Sequence, residues 1–196
     1  MMKKTLMFSA LAAATLTGNA LAQNAPVRDN GFSYTYGQLG YDRWDYDNGL
    51  DVDALTAEGA FALDEHVFLR GGVSFYDGDY NRSHWDDDVD GHRMYIGAGM
   101  HTPLNRGLDL ELMGDVIYDD NDFDDEMGYA LRAGLRHRTL DMVELSGGVV
   151  YEDIYDDQFG VYGQGLLNIT PAVDVGARIT LADDVDTFGV FGRYNF

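Results

Sequence analysis

Apolar and polar positions along this chain repeat every second residue. Leu55, Ala57, Gly59, Phe61 and Leu63 stand against Thr56, Glu58, Ala60 and Ala62, and Val67, Leu69, Val73 and Phe75 stand against Phe68, Arg70, Ser74 and Tyr76. The same period runs through 94–100, 108–118, 129–135, 143–151, 161–169 and 173–181. Period two marks β-strands with one apolar face, whereas a helix repeats every 3.6 residues. With a first strand over 32–41 and a last one from Thr187, the count is ten; eight is the alternative. In the first strand Tyr34 and Tyr36 are out of phase with Leu39 and Tyr41, which predicts a β-bulge near Gly37 or Gly40.

The connections alternate as well. Residues 64–66, 103–107, 139–142 and 170–172 are short links, whereas 42–53, 77–92, 119–126, 152–157 and 183–186 are longer or acidic. Short and long links in turn describe an up-and-down antiparallel meander whose two ends differ, as in outer-membrane barrels. Strands of about ten residues match the 9–11 that cross a hydrocarbon layer when tilted. In lipid every backbone N–H and C=O needs a partner, so a sheet can span only if it closes on itself. The last ten residues, TFGVFGRYNF, supply a closing strand with Phe188, Val190, Tyr194 and Phe196 on one face and Arg193 on the other.

Composition narrows the setting. Lys3 and Lys4, the apolar run 6–16 and Ala20-Leu21-Ala22 read as a secretory signal peptide cut before Gln23. Its apolar run is too short to span a bilayer as a helix. The expected organisation is signal peptide over 1–22, periplasmic linker over 23–30 and barrel over 31–196. Cysteine is absent, so no disulfide scaffold stabilises the exported chain. Both lysines lie in the leader, leaving 11 arginines against 34 acids. A surface so negative repels phosphates, and nucleic acid is excluded as a partner.

On residues 1–22, the alternating strands, FSYTY at 32–36 and the closing GRYNF, the chain resembles the small outer-membrane β-barrel proteins of Gram-negative bacteria, an OmpA/OmpX-like class whose ten-strand members have no assigned reaction. The resemblance implies an all-β, up-and-down antiparallel transmembrane barrel in the cell outer membrane, monomeric and not an enzyme. It also implies outer-membrane lipid and lipopolysaccharide as surroundings. Phe188, Val190, Tyr194 and Phe196 would be the signal read by the barrel-assembly machinery.

If the apolar faces meet lipid, the other faces line the interior. That places Glu58, Asp109, Glu111, Asp115, Glu144 and, near the rim, Asp174 against Arg70, Arg132, Arg136, Arg178, Arg193 and, also near the rim, Arg138. Balanced Arg–carboxylate pairs in a narrow interior imply a salt-bridged plug that fixes register and leaves the lumen mostly occluded. The other readings are a narrow porin-like channel for ions or small solutes and, for Glu111 with Asp115, a catalytic carboxylate pair.

The longer connections hold 24 of the 34 acids, and the resulting field attracts cations. Asp86, Asp88 and Asp90 begin a D-x-D-x-D-G calcium loop, but its twelfth position is Gly97 where a bidentate Glu is required. Asp120, Asp122 and Asp124 repeat the start and also lack the Glu. Weak calcium or magnesium binding is the expectation, with no other cofactor. The bland explanation of so acidic and lysine-free a surface is a saline habitat, where screening lets like charges crowd. Ser83, His84, Asp86 and His92 suggest an outer-membrane hydrolase, and His84 with His92 a zinc pair, yet neighbours in one loop rarely hold catalytic geometry. A soluble periplasmic barrel with a small apolar ligand is the remaining alternative. The leading expectation is a structural or surface role with acidic, cation-attracting outer loops.

Overall fold

The computed structural model describes residues 31–80, 88–122 and 124–196. The leader and linker expectations, Ser83, His84 and Asp86 lie outside them. Ten antiparallel strands follow one another: β1 (Tyr36–Tyr46), β2 (Leu50–Ala62), β3 (Val67–Tyr80), β4 (Asp88–Asn105), β5 (Leu108–Asn121), β6 (Asp125–Leu140), β7 (Val143–Asp153), β8 (Asp157–Asn168), β9 (Val173–Ala182) and β10 (Val185–Asn195). Each pairs with its chain neighbours, and β1 pairs with β10 from Tyr36↔Asn195 to Tyr46↔Val185, so the sheet is a closed barrel.

The sheet is apolar outside. Ile96 is 70% exposed and Val190 60%, and Leu39, Leu55, Leu69, Leu112, Leu131, Leu145, Val161 and Val175 are exposed with them. The inner face holds the buried charges instead: Asp42, Asp109, Glu111, Asp115, Asp119, Arg136, Glu144, Asp174 and Arg193. A water-soluble fold buries its leucines; this one does the reverse, and only an apolar surrounding makes that favourable. Inside, apolar clusters occupy the two ends. Phe32, Tyr34, Ala60, Ala62 and Phe68 cluster at the end where the C-terminal strand finishes, here the terminal end, and Trp44, Val52 and Ala54 cluster at the far end.

Three expectations change. The acidic connections are mostly strand, not loop: β1 and β2 are joined by only 47–49, β5 and β6 by 122–124, β7 and β8 by 154–156, and β9 and β10 by 183–184. Aspartate is a poor strand former, but paired backbone in a closed sheet overrides that preference. Gly49, at φ +86°, makes the first of these turns, and Gly107, at φ +80°, makes the tight turn between β4 and β5. Second, β1 carries no bulge, since its register is continuous with both neighbours. Tyr34 and Tyr36 differ in phase from Leu39 and Tyr41 because they turn inward. Third, β1 starts at Tyr36, and residues 31–35 lie inside the barrel mouth.

Candidate functional site

The lumen is the candidate site, and it is built in three layers. At the terminal end, residues 31–35 thread into the mouth. Phe32 and Tyr34 are each 2% exposed. Arg138 Nη2 donates to the Gly31 carbonyl at 2.6 Å, Arg136 Nη1 donates to the Ser33 carbonyl at 3.2 Å, and the Ala62 amide donates to Thr35 Oγ1 at 3.1 Å. The Tyr34 hydroxyl donates to Asp109 Oδ2 at 3.0 Å, and His101 Nδ1 lies 3.1 Å from the same oxygen. The Tyr34 ring stacks on His101 at 3.9 Å and on Phe68 at 5.0 Å, while the Arg136 guanidinium lies over Phe32 at 4.8 Å. Below them Arg136 and Arg138 both grip Glu144, at 2.6 and 2.8 Å.

The middle layer is a charge network. Arg178 forks onto both oxygens of Asp42, at 2.7 and 2.6 Å, and reaches Glu58 Oε2 at 2.6 Å. Gln38 and Tyr95 also donate to Glu58, and Arg70 Nη2 donates to the Tyr95 hydroxyl at 3.1 Å. Arg193 donates twice to Gln38 Oε1 and covers the Tyr36 ring at 3.8 Å. Asp115 is shared more loosely, by Arg70 at 3.4 Å and Arg132 at 3.6 Å. At the far end Arg93 joins Asp119 at 2.6 Å and Glu152 at 2.9 Å, over the Trp44 ring. Such bidentate and charge-assisted bonds satisfy the ions that burial would otherwise make costly.

Within this network remains a cavity of ≈ 260 Å³. Its lining starts at Tyr34, Phe68, Glu111 and Arg136, passes Arg70, Tyr95, Arg132 and Tyr162, and runs to Tyr46, Ala182 and Val185 at the far ends of their strands. Phe32, which plugs the mouth, and Asp109, whose carboxylate latches the Tyr34 hydroxyl, lie beyond it. Among the described residues, the lining thus stops short of the terminal mouth and continues to the far end.

Neither a protein-family model nor a curated protein matches the sequence. Solved structures do match. An outer membrane channel of the COG4313 group from Pseudomonas putida F1 gives a TM-score of 0.51 at 11% identity, over 88% of this chain and 100% of that one. The beta domain of the Bordetella autotransporter Brka gives 0.53 at 13%, over 84% and 99%. The translocator domain of autotransporter NalP from Neisseria meningitidis gives 0.50 at 15%, over 96% and 98%.

The fold is that of an outer-membrane β-barrel. In it Glu58, Arg70, Asp109, Glu111, Asp115, Arg132, Arg136, Glu144, Arg178 and Arg193 all face the lumen, divided between the latch, the grip on Glu144 and the central network. Asp109 is held by Tyr34 and His101. Glu111 and Asp115 stand on one face of β5, but each answers a different arginine. Phe188, Val190 and Tyr194 are exposed on the outer face, and Phe196 meets Tyr194 edge-on at 5.1 Å. Sequence reasoning missed Asp42, Asp119 and Glu152 by assigning them to connections, and Arg93 by starting its strand at residue 94. The usable signal is parity: Arg93 shares the face of Tyr95, and Asp119 that of Asp115.

The cation candidates are scattered. Asp120 lies 3.9 Å from His92, Asp124 takes part in the turn with Asn121, and the Asp90 amide donates to Asp122 at 3.3 Å. Asp88 opens β4 opposite Asp79. Among the described residues, no group of three or more His, Asp or Glu is arranged to hold a metal ion.

Proposed function

We propose that this protein is a non-conducting outer-membrane barrel with a structural and surface role. It holds its place in the bilayer by its apolar outer face and presents an acidic rim at the far end. The observation that carries this reading is the seating of residues 31–35 in the terminal mouth, with Phe32 and Tyr34 buried under Arg136. A porin-like path would need that mouth open. The rim draws cations from the medium as a diffuse cloud, including calcium and magnesium, without a dedicated site. Lipid and lipopolysaccharide are its surroundings, and the barrel works as a monomer without catalysis.

The test is electrical. In planar bilayers the purified barrel gives no steady conductance, and the paired substitution Phe32→Ala with Tyr34→Ala turns on steady openings. Steady conductance from the unaltered protein would replace this reading by a narrow channel, the function named for the Pseudomonas putida neighbour. For biogenesis, the exposed aromatic face of β10 serves as the assembly signal. Phe196→Ser should reduce the fraction reaching the membrane in heat-modifiable form on a gel, and normal insertion would remove that role.

A further inference from the structure

Most charges in the lumen are firmly answered, so the exceptions stand out. Arg132 meets an acid only at 3.6 Å, on an Asp115 that Arg70 also shares. Glu111 meets a guanidinium only at 3.8 Å, from an Arg136 already engaged at 2.6 Å by Glu144, and shares the Tyr34 hydroxyl with Asp109. Both line the ≈ 260 Å³ cavity. Between them comes Tyr162, whose electrostatic neighbours include Glu111 and Arg132. Its hydroxyl is buried without a hydrogen-bond partner, whereas Arg70 Nε and Asp115 Oδ1, which also lack one, face each other as an ion pair at 3.4 Å.

The backbone explains how the three residues meet. Glu111 on β5 stands opposite Gly134 on β6, two residues from Arg132 on the same inward face. A side-chain carbon at Gly134 would collide with the Tyr162 hydroxyl, so the glycine makes the space in which that hydroxyl lies. A loosely answered carboxylate and guanidinium thus share one cavity wall with a hydroxyl that has spare capacity. Leaving buried polar groups short of partners is costly. A ligand that accepts from one side and donates to the other would recover that cost.

We propose that this part of the lumen binds a small zwitterion of the amino-acid class, its carboxylate on Arg132 and the Tyr162 hydroxyl and its ammonium on Glu111. The net neutrality of such a ligand fits the route. The pocket faces the acidic far end, which repels a net anion and would trap a net cation, whereas a zwitterion passes with neither effect. The inference rests on the closed terminal mouth of the proposed function for its single point of entry.

Calorimetry on the folded barrel in detergent, with L-serine as the probe, tests it. Saturable binding at millimolar concentration is expected. Acetate and methylammonium, each carrying one of the two charges, should bind roughly tenfold or more weakly, as should L-serine to Arg132→Gln and to Glu111→Gln, since a charge-assisted hydrogen bond contributes on that scale. Tyr162→Phe, which keeps every charge, should weaken binding by a smaller factor and guards against misfolding of the charge variants. Absence of saturable heat with the unaltered protein overturns the site, as does unchanged affinity in Arg132→Gln. Acetate binding as tightly as L-serine overturns the zwitterion class. Conductance distinguishes the two proposals: binding by a barrel that conducts retains the site and removes the closed reading, and no binding by a silent barrel does the reverse.

Discussion

Around Arg136 the terminal half of the lumen sets carboxylate against guanidinium; the far rim, apart from Arg43 on Asp51 at 2.8 Å, sets carboxylate against carboxylate. Glu144 there receives Arg136 and Arg138. At the rim, strand register places Asp45 opposite both Asp51 and Asp186, Asp53 opposite Asp77, Asp77 opposite Asp90, Asp120 opposite Asp125 and Asp153 opposite Asp157. Like charges directly across an antiparallel pair are destabilising. The rim tolerates them because it extends past the span that a hydrocarbon layer requires. Strands of 14 to 18 residues on β3–β6 exceed the roughly 9–11 needed to cross. In water and salt the repulsion is screened, whereas inside the lumen it would not be. The same residue types therefore obey opposite pairing rules according to their surroundings.

The comparison is broken most forcefully at Arg136. That residue grips Glu144, holds the Ser33 carbonyl and covers both plug rings. Arg136→Ala leaves a buried carboxylate partly unanswered and the plug unsupported. It should cost about 3–5 kcal/mol, the range for breaking a buried pair by removing one partner. Urea unfolding in lipid vesicles, followed by aromatic fluorescence, measures it; a loss below about 1 kcal/mol would mean that the terminal layer is held by packing and not by charge.

At the rim the sign reverses. Asp157→Asn removes one member of the Asp153–Asp157 pair. It should stabilise the barrel by about 0.2–1 kcal/mol at low salt, with the gain fading toward 1 M as the Debye length contracts to about 3 Å. The unaltered protein should likewise gain stability from 10 mM to 2 M salt, as the saline-habitat reading requires. A stability independent of salt would remove both the rim argument and that habitat.

How much of this could be read from the chain follows the same division. Where apolar residues alternate, as at Leu55–Phe61 or Leu108–Leu112, strand, face and closure were all legible, because lipid enforces one pattern on one side. The lumen charges followed from the opposite parity. The failures lie where composition and parity disagree. The aspartates of 42–53 and 119–126 suggested loops, although Asp42 continues the inward face of Gln38 and Asp119 that of Asp115. Phe32 and Tyr34 failed for a different reason. Aromatics at alternate positions match a lipid-facing strand, and nothing local shows that Arg136, more than a hundred residues later, will lie over them. The Arg132–Tyr162–Glu111 arrangement depends on Gly134, whose role is visible only once Tyr162 on β8 reaches across β7 to β6.

The smallest effect belongs to the terminal-end turn between β2 and β3, and acid sharpens it where salt sharpens the rim. Asp64 Oδ1 accepts the His66 amide at 2.7 Å and the Val67 amide at 2.8 Å. Those backbone hydrogen bonds, His66 first, hold the Asp64 carboxyl below the usual carboxylate range. The folded chain thus takes up a proton there at lower pH than the unfolded chain does, so the carboxylate contributes stability above the unfolded value of about 3.9. That contribution is lost as pH falls through the lower folded value. Asp64→Ala should be less stable than the unaltered protein by a constant margin at neutral pH, and the margin should shrink as the solution is acidified below pH about 4. Paired urea titrations at pH 7 and at pH 3 measure this. A margin that does not shrink would mean that the turn is fixed by backbone geometry alone, and that the terminal end owes its order to the plug and not to its turns.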